Sequence, residues 1–315
     1  MADTAEDRPK RMTRRGAPDG TLVVDHRERG GHAMCRWMAW HGQPVLIEEL
    51  LFRTQHGLID QSLHSRLGAE TTNGDGFGVG WYGTGEGPGV YRSVAPAWGD
   101  ANLRHLAGHI ESPLFLSHVR ATSGTAIQQT NCHPFRHGRW LLVHNGVIGD
   151  FRALRRDLML LVDPARFPDI EGSTDSEVLF HLALTLGLER DPVAALEQAI
   201  GTVETVARSH GLQPAIQASI GVSDGDSLWA VRYASAEEPR SLFVSADAAT
   251  VRSLRPADER VQRLRDGDRL IVSEPVDDLP GDWHEIEPSS VLIVRPGGDL
   301  ERRAFRPVAD VAAPA

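Results

Sequence analysis

Between Asn73 and Tyr82 the chain reads Asn-Gly-Asp-Gly-Phe-Gly-Val-Gly-Trp-Tyr. Asn73-Gly74-Asp75-Gly76 is a tight-turn signal, and it leads into a glycine-rich strand over 77–82. A glycine inside a strand removes a side chain where another backbone or a ligand comes close. A Gly-rich hairpin accounts for the turn equally well, so we read the stretch as structural.

The rest of the chain supplies strands and helices to go with that strand. Apolar runs predict strands over 36–40, 114–119, 140–143, 216–222, 227–233, 242–245, 269–273 and 291–294, the first ended by Gly42-Gln43-Pro44. Helical periodicity covers 47–64, with Gly57 a weak point, then 151–161, a segment opened by Gly172-Ser173-Thr174-Asp175-Ser176-Glu177, and 192–210. Thr174 or Asp175 caps the third of these, with Glu177 placed for a capping box. No repeat, low-complexity tract or linker follows Cys35. We therefore expect one domain over 35–308, an extension over 1–34 and a disordered tail over 309–315.

Composition narrows the class. The chain has 315 residues, 41% hydrophobic and 24% charged, with a formal net charge of −10. Such an acidic body argues against general nucleic-acid binding. The apolar run over 158–162 is far too short to span a membrane. Two cysteines make no disulfide framework and fit a reducing cytoplasm.

Residues 1–34 are rich in Arg, Asp and Gly and lack the apolar core of a signal peptide. They read as a cleaved propeptide or, the reading we favour, as a misassigned start with Met34 the initiator. Methionine aminopeptidase removes a methionine that precedes a side chain as small as that of Cys35. Cys35 then carries a thiol nucleophile and a free α-amino base in one residue. An uncleaved tail would block that chemistry, and a small buried hydrophobe is the plain alternative for Cys35.

Three strand ends carry further chemistry. The strand over 114–119 stops at Arg120-Ala121-Thr122-Ser123-Gly124, which presents a fixed cation whose planar fork suits a carboxylate. A surface charge is the plain alternative. Asn131-Cys132-His133-Pro134-Phe135 follows, with His133 a pocket residue or a core histidine. The strand over 140–143 ends in His144-Asn145-Gly146, where a side-chain amide and a backbone N–H can meet one oxyanion; a hairpin turn explains the same residues. Asp175, at a helix start, suits an ammonium. Trp37, Trp40 and Trp81 fit the cores of sheets, with an aromatic wall for a leaving group as the other reading. His118, His133 and His144 are the partners a cysteine protease would need. None of the fourteen histidines has metal-ligand spacing.

Taken in order and spacing, Met34-Cys35, Gly74-Asp75-Gly76-Phe77-Gly78, His118-Val119-Arg120, Asn131-Cys132-His133-Pro134-Phe135, His144-Asn145-Gly146 and Ser173-Thr174-Asp175-Ser176-Glu177 resemble the class II glutamine amidotransferases, N-terminal nucleophile hydrolases. The stand-alone branch, which includes the ergothioneine-pathway amidohydrolase, is the most similar. The resemblance implies an α+β fold, a four-layer αββα sandwich of two antiparallel sheets. It implies Cys35 as nucleophile with its α-amine as base, Asn145 and Gly146 as the oxyanion hole, and Arg120 and Asp175 on the substrate α-carboxylate and α-ammonium. His133 and Thr122 would line the pocket, although the segment after Arg120 is one residue shorter than in many relatives. The substrate would be a small γ-glutamyl compound, cleaved through a γ-glutamyl thioester with no cofactor and no metal. A separate ammonia-using subunit, a homo-oligomer and a non-catalytic scaffold stay open as alternatives.

Overall fold

The computed structural model describes residues 35–67, 72–122, 124–236, 238–279 and 281–309. The expectations for residues 1–34 and for 310–315 lie outside the described residues.

In chain order the elements are β1 (Arg36–Leu46), α1 (Ile47–Leu51), α2 (Leu58–Leu63), β2 (Phe77–Trp81), β3 (Gly89–Ser93), α3 (Ala101–Ala107), β4 (Glu111–Val119), β5 (Phe135–His137) and β6 (Trp140–Ile148). There follow α4 (Phe151–Leu160), α5 (Asp175–Thr185), α6 (Pro192–Ser209), β7 (Ile216–Ser223), β8 (Leu228–Ala234), β9 (Phe243–Ser245), α7 (Ala248–Leu254), α8 (Glu259–Gln262), β10 (Arg269–Val272), β11 (Trp283–Glu285), β12 (Ser290–Val294) and β13 (Leu300–Ala304).

The strands form a seven-stranded sheet, β11-β9-β10-β1-β4-β2-β3, and a six-stranded sheet, β13-β12-β8-β7-β6-β5. All pairings are antiparallel. Strand alternation gives each sheet two faces, and here both are apolar. Trp37, Ala39, Leu114, Leu116, Leu141, Val143, Leu228 and Ala230 form the core between the sheets. Met38, Trp40, Phe77, Val79 and Phe115 face the other way, against α1, α2 and α3. Leu142, Ile148, Ile220 and Val231 pack against α4, α5 and α6. The layers therefore run helix, sheet, sheet, helix, the αββα sandwich.

Several elements depart from the periodicity reading. The 47–64 helix is two helices, because Gly57 lies within contact of the last turn of α1; a Cβ there would sit 2.5 Å from the Leu51 carbonyl. β1 does not end at Gly42-Gln43-Pro44. It continues to Leu46 through an irregularity between His41 and Val45, where the Asp268 side chain accepts from the Gln43 N–H at 2.8 Å. The glycines of β2 permit the close approach expected of them: a Cβ on Gly78 would lie 2.2 Å from the His133 carbonyl, and one on Gly80 would lie 2.8 Å from Leu141.

Candidate active site

Cys35 directly precedes β1, and the first residue of that strand, Arg36, pairs with Val119, the last of β4. The register sets Cys35 beside Arg120. Its Sγ donates to the Ala121 carbonyl at 3.4 Å. The residues of β1 and β4 that share parity with Cys35 and Arg120 face the inter-sheet core, as do Leu141 and Val143 of β6. Asn145 continues that β6 row, so the alternation turns its amide toward the face that bears Cys35 and Arg120. The three residues come from three strands that share one interior.

Arg120 is buried, at 3% exposure. Its guanidinium donates to the Thr122 and Thr125 hydroxyls at 3.1 and 2.6 Å and to the carbonyls of Asp75 and Ala126, each at 3.3 Å. All four acceptors are neutral. Among the described residues no carboxylate pairs with it. Asp75 contributes instead by fixing the loop, its carboxylate accepting from the Thr122 N–H at 2.8 Å. Thr122 is thus tied to Arg120 and Thr125 as part of the clamp that orients the guanidinium.

Asn145 and Gly146 lie inside β6, paired with Ser219 and Ala218 of β7, so they are no hairpin turn. Among the described residues the Asn145 amide makes no hydrogen bond. Gly146 has no room for a side chain: a Cβ would stand 2.0 Å from the Gln217 carbonyl. Asp175 begins α5, whose cap is Thr174, accepting from the Glu177 N–H at 3.2 Å. Glu177 does not complete a capping box; its carboxylate takes the Glu171 and Gly172 N–H groups at 2.9 and 2.8 Å. Asp175 accepts from the Ile148 N–H at 2.8 Å and from Ser176, and forms no ion pair among the described residues.

Burial pushes the Cys35 thiol up from its ordinary value. A hydrogen bond with the Ala121 backbone and the charges of Arg120 and Arg36 pull the other way, and Asp175 adds to the rise. The sulfur is therefore a protonated thiol at neutral pH and needs a base to become a nucleophile.

Residues 55–310 match the family model described as glutamine amidotransferases class-II. The chain belongs to this family. A probable glutamine amidotransferase of Saccharomyces cerevisiae, DUG3, is 33% identical over 83% of this chain and 82% of its own length. The gamma-glutamyl-hercynylcysteine sulfoxide hydrolase of Mycolicibacterium smegmatis is 29% identical, over 83% of this chain and 96% of its own. Among solved structures, a glutamine aminotransferase class-II domain protein from Silicibacter pomeroyi superposes with a TM-score of 0.66 at 34% identity, covering 87% of this chain and all of that one. The glutamine phosphoribosylpyrophosphate amidotransferase of B. subtilis, at 15% identity and a TM-score of 0.56, shares the fold. The family match begins downstream of Cys35.

In this class II amidotransferase His118, His133 and His144 make no hydrogen bond to either cysteine among the described residues. His133 stacks on His118, with centroids 4.1 Å apart, and on Phe135, and neither of its ring nitrogens has a partner. Burial holds His133 well below the ordinary histidine value and takes His118 down to about 3, so both are neutral. His144 points to the helical layer, its Nδ1 2.8 Å from the Ser176 hydroxyl, which in turn lies 3.1 Å from Asp175. That chain ties α5 to the strand carrying Asn145. Cys132 is buried, donates to the Ser93 carbonyl at 3.4 Å and is not disulfide-bonded; neither is Cys35.

The tryptophans form no aromatic wall. Trp37 is buried between the sheets with its Nε1 on Ser219, while Trp40 and Trp81 pack toward the helices. Among the described residues no group of His, Cys, Asp and Glu could hold a metal ion, and no helix is long and apolar enough to cross a membrane.

Two contributors were not singled out in the sequence. Asp75 sat in a motif read as structural. Glu274, which accepts from the Arg36 Nε at 2.6 Å across 238 residues, carried no local signal at all.

Proposed function

We propose that this enzyme hydrolyses the γ-glutamyl amide bond of a small molecule, with Cys35 as an N-terminal nucleophile and glutamine as a slow generic substrate. The observation that carries the reading is the buried Arg120 guanidinium, which has no counter-charge among the described residues. A buried cation held only by neutral acceptors is costly unless an anion arrives. A substrate α-carboxylate supplies that anion, and Asp175, which forms no ion pair among the described residues, takes the α-ammonium. Together they select a free α-amino acid end, which a γ-linked glutamyl group has and an α-linked one lacks.

The steps follow from the groups present. The α-amine of a terminal Cys35 takes the thiol proton, and sulfur attacks the γ-carbonyl. The Asn145 amide and the Gly146 N–H hold the oxyanion. Collapse of the tetrahedral species, with the amine returning the proton to the leaving nitrogen, releases ammonia or an amine and leaves a γ-glutamyl thioester. Water, deprotonated by the same amine, cleaves the thioester to glutamate and restores the thiol. His133 lies behind the site as a packing residue, and Thr122 serves by holding Arg120. The substrate class includes γ-glutamyl sulfur compounds of the kind named for the mycobacterial relatives, whose amine portion is the leaving group, and a reducing cytoplasm keeps the thiol free.

The test has three parts. N-terminal sequencing of the purified active protein should begin at Cys35, and a chain that retains residues 1–34 should be inactive. Cys35→Ala should abolish release of glutamate from glutamine, glutathione and γ-glutamyl sulfur compounds. A diazo-ketone analogue of glutamine should label Cys35 and spare Cys132. Full activity with Met1 still attached, or labelling chiefly at Cys132, would overturn the assignment.

A further inference from the structure

Immediately after the nucleophile lies a buried charge that the mechanism above does not use. Arg36 is 1% exposed and Glu274 is 2% exposed. The Arg36 Nη1 donates to the carbonyl of Cys35 at 2.8 Å, while its Nε and Nη2 reach the Glu274 carboxylate, each at 2.6 Å. Glu274 also accepts from the Ser65 hydroxyl at 2.6 Å and from the Arg66 and Leu67 N–H groups at 3.0 and 3.1 Å. The guanidinium therefore stands between Cys35 and the carboxylate, with its Nη1 on the nucleophile's own backbone. In a chain that begins at Cys35, that carbonyl is bonded to the carbon bearing the α-amine, which keeps Nη1 within about 7 Å of the amine.

We propose that Arg36 and Glu274 are a positioning and charge-setting pair for the nucleophile: Arg36 anchors the Cys35 carbonyl and its charge keeps the neighbouring amine unprotonated near neutral pH, and Glu274 moderates that charge. The inference rests on the reading of Cys35 as an N-terminal nucleophile. A cation close to an ammonium destabilises the ammonium and so favours the free amine that acts as base. The same charge favours the thiolate over the thiol. Glu274 lies on the far side of the guanidinium, so it reduces this field without cancelling it. Burial opposes its ionisation, but Arg36, Ser65 and the Arg66 N–H outweigh burial and hold it below the usual carboxylate range. The other groups facing Cys35 are Arg120 at the end of β4, Asp175 of α5 and Cys132 before β5. The two charged ones carry opposite signs and act on Cys35 in opposite directions, so the standing charge at the amine falls to Arg36.

A purely structural ion pair and a charge-setting pair differ in sign. With L-glutamine as probe, kcat/KM is measured against pH for the mature parent, Arg36→Gln, Glu274→Gln and the double variant. The acidic limb reports the base of the free enzyme. Removing the Arg36 charge should move that limb up by about one pH unit, and removing the Glu274 charge should move it down by a comparable amount. Limbs that stay in place, or move in the same direction, would overturn the proposal. If the single variants do not fold, the double variant, which removes both members of this ion pair together, decides: its limb should lie above the parent's, and an unmoved limb refutes the role. The underlying reading is checked separately on the parent. A terminus other than Cys35, or activity in Cys35→Ala, removes that reading and this inference with it. A Cys35 terminus with unmoved limbs removes only this inference.

Discussion

A guanidinium buried as deeply as that of Arg120 normally carries a carboxylate, and this one donates to two threonine hydroxyls and two carbonyls instead. Asp75, Thr122, Thr125 and Ala126 hold the fork in place, so the geometry exists before substrate arrives. Replacing Arg120 with Ala should raise KM for glutamine by roughly 10- to 100-fold while kcat changes much less, the signature of a lost charge-assisted contact made equally in ground and transition states. If the variant binds as well as the parent, the carboxylate clamp must be sought elsewhere. Both sulfurs are buried enough for desolvation to raise their thiols, so acidity does not distinguish Cys35 from Cys132. Position does: Cys35 precedes a strand and adjoins Arg120, whereas Cys132 packs beneath Gly76, where a Cβ would come within 2.7 Å of its sulfur.

At the scale of elements, the candidate site is made by the start of β1, the end of β4, the interior of β6 and the start of α5. β1 and β4 run antiparallel, so the start of one lies beside the end of the other and Cys35 meets Arg120 with no loop between them. β2 lies on the far side of β4, and its glycine row lets the segment carrying His133 lie flat against it. A side chain at Gly78 would collide with a backbone oxygen, which cannot rotate away. Gly78→Ala should therefore cost about 2 kcal/mol or more of stability, read as a lower urea midpoint. A variant as stable as the parent would mean that the two segments separate easily. The strands that periodicity missed, β3, β5, β11 and β13, are the four edges of the two sheets. Edge strands are short and half exposed, so they carry no continuous apolar run. The central strands, buried on both faces, carry such runs and were legible.

The whole molecule stores neutral histidines. Burial, with the His137 charge, takes His181 down to about 4, and burial takes His118 to about 3, against an ordinary value of 6.5. The unfolded chain binds protons at these positions below about pH 6.5 while the folded chain refuses them. Stability is thus fully present above that pH and is lost as pH falls toward the folded values. His181, in α5 and outside the site, isolates the effect. His181→Leu should shrink the loss of unfolding free energy between pH 7 and pH 5 by about 2 kcal/mol, measured by urea titration at both values. An unchanged loss would show that His181 titrates normally in the folded protein. The sequence by itself determined where the central strands and the long helices lie, because apolar runs specify buried strands and glycines mark close backbones, whereas the αββα layering and the roles expected of Cys35, Arg120, Asn145, Gly146 and Asp175 came from the family resemblance. Tertiary structure alone decided that Asn145-Gly146 is strand rather than turn, that Thr122 and Asp75 brace Arg120, and that Glu274 faces Arg36. Those facts depend on the register between strands and on partners hundreds of residues apart, and neither leaves a mark on local periodicity.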